Sequence, residues 1–143
     1  MMFWDASAIV PLLVEQPASR ACRAALRADP RQVVWMMTIT EVVSALCRLC
    51  RDGAIDGRFR DEAEARARRF ATRWTEVQAA EVARDEAARL LHAYALRAAD
   101  ALQLAAAVVW ADRRPRGRGF VCLDGDLCEA ARAEGFKVHT PAG

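Results

Sequence analysis

The chain has 143 residues, of which 54% are hydrophobic and 28% charged, a balance typical of one globular domain and unlike that of a disordered chain. Its net charge of +2, from 21 basic and 19 acidic residues, does not by itself indicate a nucleic-acid-binding protein. No apolar run is long enough to span a membrane, and no basic stretch precedes the apolar N-terminus. Neither a membrane protein nor a secretory signal peptide is therefore expected.

The five cysteines are an odd number in a chain without a secretory signal, which argues for a reducing compartment. We therefore expect a cytoplasmic protein. Cys47 and Cys50 are spaced like half a zinc site, but no second pair with zinc spacing exists and the motif lies inside an apolar helical pattern. Buried thiols are the better interpretation of these two residues.

Apolar runs and helical periodicities alternate along the chain. In chain order, they predict a strand over 1–4, helices over 8–14 and 17–28, a strand over 33–37, helices over 38–51 and 55–74, a strand over 74–77, helices over 81–94 and 100–110, a strand over 119–123, a helix over 127–134 and a strand over 136–139. Most strands are continuously apolar. This pattern predicts a three-layer α/β/α fold, with a central, mainly parallel sheet covered on both faces, in a single domain over 1–143.

Four acidic residues follow the predicted strands in a common position. Asp5 ends the first strand, and Glu41 lies in the first turn after the second strand. Asp100 lies in the first turn of a later helix, and Asp124 ends the strand that runs up to Leu123. Strand ends and the starts of the following helices share one edge of a parallel sheet, where ligands bind. The topology alone therefore places these four acids at one edge.

Helix capping is the alternative explanation for these acids, because a carboxylate interacts favourably with a helix N-terminus. Thr38 with Glu41, and Asp126 with Glu129, each fit a capping box. We interpret Asp126 as a helix cap rather than a member of the acidic group. Capping explains any one of the four acids about as well as a functional role does, but it explains four together less well.

Two carboxylates about 4 Å apart repel by about 4 kcal/mol at an effective dielectric near 20, so a cluster of four favours a bound cation. The candidate ligands are all hard oxygens, because His92 and His139 lie away from this edge. Oxygen ligands indicate Mg²⁺ or Mn²⁺. Such a site on a slightly basic protein suits a phosphodiester substrate, since the metal offsets repulsion and activates water.

Four short motifs, in this order and spacing, resemble those of PIN-domain ribonucleases, specifically VapC-type toxins of toxin–antitoxin pairs. The resemblance covers nearly the whole chain. The motifs are the opening strand with Asp5-Ala6-Ser7-Ala8, Thr38-Ile39-Thr40-Glu41-Val42, Leu96-Arg97-Ala98-Ala99-Asp100-Ala101-Leu102-Gln103-Leu104-Ala105, and Phe120-Val121-Cys122-Leu123-Asp124-Gly125-Asp126-Leu127.

The resemblance implies a PIN-like fold and an Mg²⁺- or Mn²⁺-dependent endoribonuclease with RNA as its substrate. It implies that Asp5 and Asp100 are the main metal ligands, that Asp124 supports an ion directly or through water, and that Glu41 holds or orients a metal-bound water. Ser7 is expected to border the pocket. A homodimer and a cognate antitoxin, whose peptide arm occupies the active-site groove, are also implied. Pro11 departs from the family pattern and is expected to alter the pocket wall.

Two groups of arginines are candidates for contact with RNA. The loop from Arg113 to Arg118 should lie at the edge opposite the acids, where solvation is its more natural role. Arg66, Arg69 and Arg73 form a helical stripe on a segment expected to return towards the acidic edge, which suits contacts with the RNA backbone, although a solvated helix face explains the stripe about as well. The helix that carries them, over 55–74, is expected to form one wall of the groove and to contribute to dimerisation through Phe59, Phe70 and Trp74.

Three other functions compete with the nuclease. A haloacid-dehalogenase-type phosphatase needs a second Asp two residues after the first, and Ser7 stands there instead. A response-regulator receiver needs a Lys after a late strand, which Lys137 fits poorly. The third alternative is a non-catalytic PIN-like interaction module with a structural acid cluster.

Overall fold

The computed structural model describes residues 1–141 and shows an alternation of strands and helices. The strands are β1 (Met2–Trp4), β2 (Gln32–Trp35), β3 (Thr75–Val77), β4 (Gly119–Val121) and β5 (Lys137–His139). The helices are α1 (Ala6–Leu13), α2 (Ser19–Ala28), α3 (Thr38–Arg51), α4 (Gly57–Ala71), α5 (Ala80–Ala93), α6 (Ala98–Trp110) and α7 (Gly125–Glu134). Each predicted strand and helix is present, with boundaries that differ by a few residues.

The five strands form one sheet in the order β3-β2-β1-β4-β5, and every neighbouring pair is parallel. Because β1 is central, its carboxyl end lies between those of β2 and β4. Strands β2 and β3 lie on one side of β1, and the chain then crosses to place β4 and β5 on the other side. Such a change of side leaves a crevice at the carboxyl ends of the central strands. This arrangement confirms the predicted α/β fold with a parallel central sheet.

Two apolar cores cover the two faces of the sheet. On one face, Phe3, Val33 and Phe120 pack against α5, α6 and α7. On the other face, Trp4 and Val34 pack against helices α1 to α4. Successive strand residues point to opposite faces, so continuously apolar strands are what a sheet buried on both sides requires.

Strand β4 ends two residues earlier than the sequence predicts. Its partner β1 ends at Trp4, which pairs with Val121, and the Asp5 N–H then donates to the Val121 carbonyl at 3.0 Å. Beyond that point β1 has turned into α1, so β4 has no partner on that side. Residues 122–124 are therefore a loop that leads into α7, and this loop carries part of the candidate site.

Helix α4 ends at Ala71, before the predicted apolar stripe is complete. Trp74 lies outside the helix, where its indole N–H donates to Gln32 Oε1 at 3.0 Å. Phe59 remains 40% exposed, while the small residues Ala63 and Ala67 are the ones buried. Small residues let α4 approach its neighbours closely, and Phe70 and Trp74 pack with Ala63 and Ala67 in the same core.

Cys47 and Cys50 are half-buried on α3 rather than fully buried, while Cys22, Cys122 and Cys128 are buried. All five are free thiols. Within residues 1–141, no helix is long and apolar enough to cross a bilayer.

Replacing Phe120 with Ala is expected to destabilise the fold by about 3–5 kcal/mol, because the ring is fully buried at the centre of one core. Its centroid lies 5.4 Å from that of Phe3 and 5.5 Å from that of Phe136. Urea denaturation followed by circular dichroism measures the loss. Val82→Ala is the control, since Val82 is 45% exposed and its truncation should change little. Equal effects of the two substitutions would contradict this account of the core.

Candidate active site

The four acids predicted from the sequence line one pocket at the carboxyl ends of the strands. Asp5, Glu41, Asp100 and Asp124 surround a space of about 430 Å³ that opens to solvent. Asp5 follows β1, Glu41 lies in the first turn of α3, and Asp100 lies in the first turn of α6. The helices come from both layers, so the pocket spans the edge of the sheet.

Asp5 is the most deeply buried of these acids, with 4% of its surface exposed. It is the N-cap of α1, and its carboxylate accepts hydrogen bonds from the Ser7 N–H at 3.1 Å and from the Ser7 hydroxyl. Burial raises the pKa of Asp5, and the hydrogen bonds from Ser7 offset this rise only in part. Asp5 therefore has both a capping role and an environment that disfavours its negative charge.

Asp124 is the N-cap of α7, because its Oδ1 accepts from the Leu127 N–H at 2.9 Å. The prediction that Asp126 caps this helix is wrong. The helix begins at Gly125, which places Asp126 inside the first turn, where its side chain is exposed and lines a different depression. Asp124 is the acid that reaches the shared pocket.

Ser7 and Cys122 connect Asp5 to the loop that carries Asp124. The Leu123 N–H donates to Ser7 Oγ at 2.9 Å, and the Asp124 N–H donates to Cys122 Sγ at 3.3 Å. The Cys122 thiol in turn donates to Asp5 Oδ2 at 3.7 Å. These contacts fix the loop after β4 against the start of α1, although the two segments are distant in sequence.

Glu41 and Asp100 do not cap their helices. The N-cap residues of α3 and α6 are Met37 and Arg97, and neither makes a side-chain capping bond. The predicted capping box of Thr38 and Glu41 is absent because the Thr38 hydroxyl accepts instead from the Trp35 N–H at 3.1 Å. Capping therefore accounts for two of the four acids and does not explain these two.

The protonation of Glu41 and Asp100 reflects both burial and the neighbouring acids. Burial raises the pKa of Glu41 from 4.5 to about 7, with further contributions from the charges of Asp5 and Asp100. Burial likewise raises the pKa of Asp100 from 3.8 to about 6, and the charges of Asp124 and Asp5 add to the rise. The charges of neighbouring acids thus disfavour the ionisation of both Glu41 and Asp100, while the charge of Arg97 acts in the opposite direction on Asp100.

Gln103 holds Glu41 in place from beneath the pocket. It is fully buried on α6, and its amide Nε2 donates to the Glu41 carboxylate and, at 3.2 Å, to Thr38 Oγ1. This bridge ties the start of α3 to α6. The sequence analysis missed Gln103, although its position three residues after Asp100 places it one turn farther along the same helix.

Replacing Gln103 with Leu is expected to destabilise the protein by about 1–3 kcal/mol, because the buried Thr38 hydroxyl and the Glu41 carboxylate each lose a partner. The hydrogen bond from Gln103 lowers the pKa of Glu41. Its removal should therefore move that pKa upward from about 7. Carbon-13 NMR titration of labelled glutamates measures the shift, and Gln78→Leu at an exposed position is the control. A Glu41 that titrates as before would rule out this positioning role.

The donor set fits a hard divalent cation, since it consists of carboxylate oxygens that repel one another. The arrangement is not a finished coordination site, however. Among residues 1–141, no three His, Cys, Asp or Glu side chains lie close enough together to hold one ion. Asp5, Glu41 and Asp124 are held by Ser7, Gln103 and the Leu127 N–H, respectively. Metal binding therefore requires these carboxylates to rotate towards a common point.

The basic residues of the pocket are not those that the sequence analysis selected. Arg48 and Arg97 line the pocket together with Ser44. The positions of Ser44 and Arg48 in the pocket could have been predicted from their spacing. They follow Glu41 by three and seven residues and thus lie on the same face of the helix. Arg97 directly precedes α6, three residues before Asp100.

The stripe of Arg66, Arg69 and Arg73 does not return towards the acidic edge. The bond from Trp74 to Gln32 places the end of this segment where β2 begins, at the opposite edge. Arg66 donates to the Leu13 carbonyl at the end of α1, which is a structural role. The prediction of RNA contacts from this stripe followed from the wrong direction of the segment.

Two further predictions concern the surroundings of the pocket. The loop from Arg113 to Arg118 leads into the start of β4, and the Lys137 N–H donates to the Arg118 carbonyl at 2.9 Å. This loop therefore lies at the edge opposite the acids, as predicted. Pro11 lines a neighbouring groove with Phe59 and Arg66 rather than the acidic pocket, so the expectation that it alters the pocket wall is wrong.

A second charged pocket, between α5 and α7, has a different character. Its Arg89 donates to Glu86 Oε1 at 2.7 Å and also binds Glu134, which accepts from the Tyr94 hydroxyl at 2.6 Å. These bonds hold the pKa of Glu134 below its usual value although its burial acts in the opposite direction. Here the charges satisfy one another, whereas none of the four acids at the strand ends forms a salt bridge within residues 1–141.

Comparison with known proteins agrees with this geometry. Residues 2–132 match the model of the PIN domain. No curated protein sequence matches the chain. PIN domains are generally nucleases that use divalent metals.

Solved structures with the same fold include a toxin–antitoxin complex from Klebsiella pneumoniae, at 18% identity and a TM-score of 0.69 over 99% of this chain and 98% of that chain. FitAcB from Neisseria gonorrhoeae matches at 19% identity and a TM-score of 0.69 over 99% and 98% of the two chains. FitAB bound to an IR36 DNA fragment matches at 19% identity and a TM-score of 0.67 over 99% and 95%. Since the family model spans most of the sequence, the chain belongs to the PIN domain family.

Proposed function

We propose that this PIN domain is a divalent-metal-dependent endoribonuclease that acts as the toxin of a toxin–antitoxin pair. The observation that carries the proposal is the pocket that four carboxylates from distant parts of the chain line together, none of which forms a salt bridge within residues 1–141. Two of them, Glu41 and Asp100, have no capping role, and their neighbours raise the pKa of each. Such mutual repulsion is costly in a purely structural cluster and is relieved by a cation.

Mg²⁺, or Mn²⁺ in its place, supplies charge neutralisation at the cleaved phosphate and activation of water. Asp5, Asp100 and Asp124 are the residues that would hold it. Glu41, which Gln103 orients, would accept the proton of the attacking water. With a pKa of about 7, this carboxyl changes its protonation near neutral pH, as a general base should.

The antitoxin partner is proposed from the structural neighbours, two of which are named as a toxin–antitoxin complex and as FitAcB. Homodimerisation is proposed as well, and the 40% exposure of Phe59 on α4 supports an interface there. Five free thiols favour the reducing cytoplasm as the compartment.

The decisive experiment is cleavage of single-stranded RNA by the purified protein, with EDTA, Mg²⁺ or Mn²⁺. We expect internal cleavage only with a divalent metal, growth arrest when the protein is expressed alone, and relief of that arrest when the cognate antitoxin is co-expressed. A folded protein that cleaves no RNA at millimolar metal would instead favour the non-catalytic interaction module.

A further inference from the structure

Two arginines at the rim of the acidic pocket form no salt bridge, although four carboxylates line the same pocket. Arg48 lies on α3 and Arg97 directly precedes α6, and both side chains are exposed. In the part of the chain that the structure describes, every salt bridge involves other residues. Arg89, by contrast, binds two acids at once. The charge of Arg97 lowers the pKa of Asp100, but within residues 1–141 no hydrogen bond or salt bridge occupies the guanidinium group of Arg48 or Arg97, so both groups are available to an external anion.

The positions of the two arginines bracket the acids. Arg48 belongs to the helical layer formed by α1 to α4, and Arg97 belongs to the layer formed by α5 to α7. The acidic pocket lies at the sheet edge between these layers. Arg48 is seven residues beyond Glu41, or about 10 Å along the helix axis. A chain molecule that binds along this pocket could contact the acids together with one arginine from each layer.

A phosphodiester strand is the anion that this arrangement suits best. A guanidinium group presents its donors in a planar fork that matches a phosphate, and it is always charged. A single phosphate bound in the acidic pocket would leave at least one of the two arginines without a phosphate to bind. A nucleic-acid strand, by contrast, carries a phosphate at every nucleotide. Acidic side chains of a protein lack this regular spacing.

We propose that Arg48 and Arg97 form two phosphate-binding subsites for the nucleotides on either side of the cleaved bond. This inference rests on the proposed function, and it specifies the substrate as an internal segment of single-stranded RNA. The arginines touch phosphates and no base edge, so they add affinity and alignment without sequence selectivity. Cleavage at a chain end would leave one subsite empty and should be slower for that reason.

The test measures RNA affinity at several salt concentrations in proteins that also carry Asp100→Asn, which prevents cleavage during the measurement. The probe is a short fluorescent single-stranded RNA, followed by anisotropy. Arg48→Gln and Arg97→Gln should each weaken binding about tenfold at low salt. Each should also reduce the slope of log affinity against log salt by about 0.7, because one fewer counterion is released per lost phosphate contact. Arg→Lys at either position should retain most of the slope.

The matched control is Arg20→Gln, at an exposed arginine on α2 that does not line the pocket. Arg48→Gln and Arg97→Gln variants with the salt slope of the control overturn the inference. The inference is also overturned if these two variants lose binding to poly-glutamate but keep their binding to RNA, since the arginines would then bind an acidic protein ligand. With Asp100 intact, the same variants should raise KM for RNA more than they lower kcat.

Failure of this inference differs from failure of the proposed function. If the unmodified protein neither binds nor cleaves RNA with Mg²⁺ or Mn²⁺, the proposed function itself is wrong, and the subsites are wrong with it. If the unmodified protein cleaves RNA while both arginine variants match the Arg20→Gln control in affinity, slope and KM, the nuclease stands and only the subsites are refuted.

Discussion

Replacing Asp100 with Asn is expected to abolish RNA cleavage while the fold survives. Asn keeps the size and much of the hydrogen-bonding capacity of Asp but removes a charge from the pocket. Asp100 does not cap α6, so the helix itself should not depend on it. Loss of a metal ligand should lower metal affinity and cleavage by at least about a hundredfold, and growth arrest should disappear with the activity.

The same substitution should raise the melting temperature of the metal-free protein. The charges of Asp124 and Asp5 raise the pKa of Asp100, which means that the ionised carboxylates repel one another in the folded state. Melting temperature, metal binding by calorimetry and RNA cleavage are best measured on the same samples. Asp85→Asn is the control, because Asp85 is exposed on α5 and does not line the acidic pocket. A folded Asp100→Asn variant that cleaves RNA at the wild-type rate would remove Asp100 from the mechanism.

The second large effect is a loss of stability in the metal-free protein as the pH rises from about 4 to about 8. In the folded state Asp100 titrates at about 6 and Glu41 at about 7, against ordinary values of 3.8 and 4.5. Between these values the folded protein binds more protons than the unfolded chain. Stability contributed by these groups is therefore fully present below about pH 4 and is lost as the pH passes through 6 and 7.

Mg²⁺ should reverse this loss, since a ligand that binds only the folded state stabilises it. We expect millimolar Mg²⁺ to raise the melting temperature clearly at pH 8 and hardly at all at pH 5, where protons compete for Asp5, Glu41 and Asp100. Thermal denaturation across this pH range, with Mg²⁺ or EDTA, measures both effects. Glu41→Gln should flatten the pH dependence of the metal-free protein. Equal stabilisation by Mg²⁺ at the two pH values would argue against binding at these carboxylates.

The order of the elements and the position of the acids could be predicted from the sequence because both follow from local patterns. Continuously apolar runs such as Val33 to Trp35 mark strands buried on two faces, and parallel pairing then brings their carboxyl ends to one edge. That logic placed Asp5, Glu41, Asp100 and Asp124 around one pocket, as the structure does. Their proposed roles as metal ligands are a prediction that the Asp100→Asn experiment tests.

Features that depend on contacts between distant segments could not be predicted in this way. The sequence shows that Gln103 is polar within an apolar helix, but only the packing of α6 on α3 shows that it reaches Glu41. The direction of α4 depended on an unpredicted bond between Trp74 and Gln32, which is why Arg73 was assigned to the wrong edge. Helix caps shifted by one or two residues for the same reason: the loop after β4 is fixed by Ser7, and this makes Asp124 the cap.

The placement of β1 at the centre of the sheet affects how the protein folds. Met2 pairs with both Gln32 and Gly119, so the central strand needs a partner from a much later part of the chain. Pairings between such distant segments close slowly, and folding that depends on them is slow. The candidate site can form only after this slow pairing, because Asp5 is held through Ser7 and Cys122 against the loop after β4. A truncated chain that stops before Gly119 would carry Asp5, Glu41 and Asp100 but could not assemble the pocket, so the proposed activity would require the segment that follows Gly119.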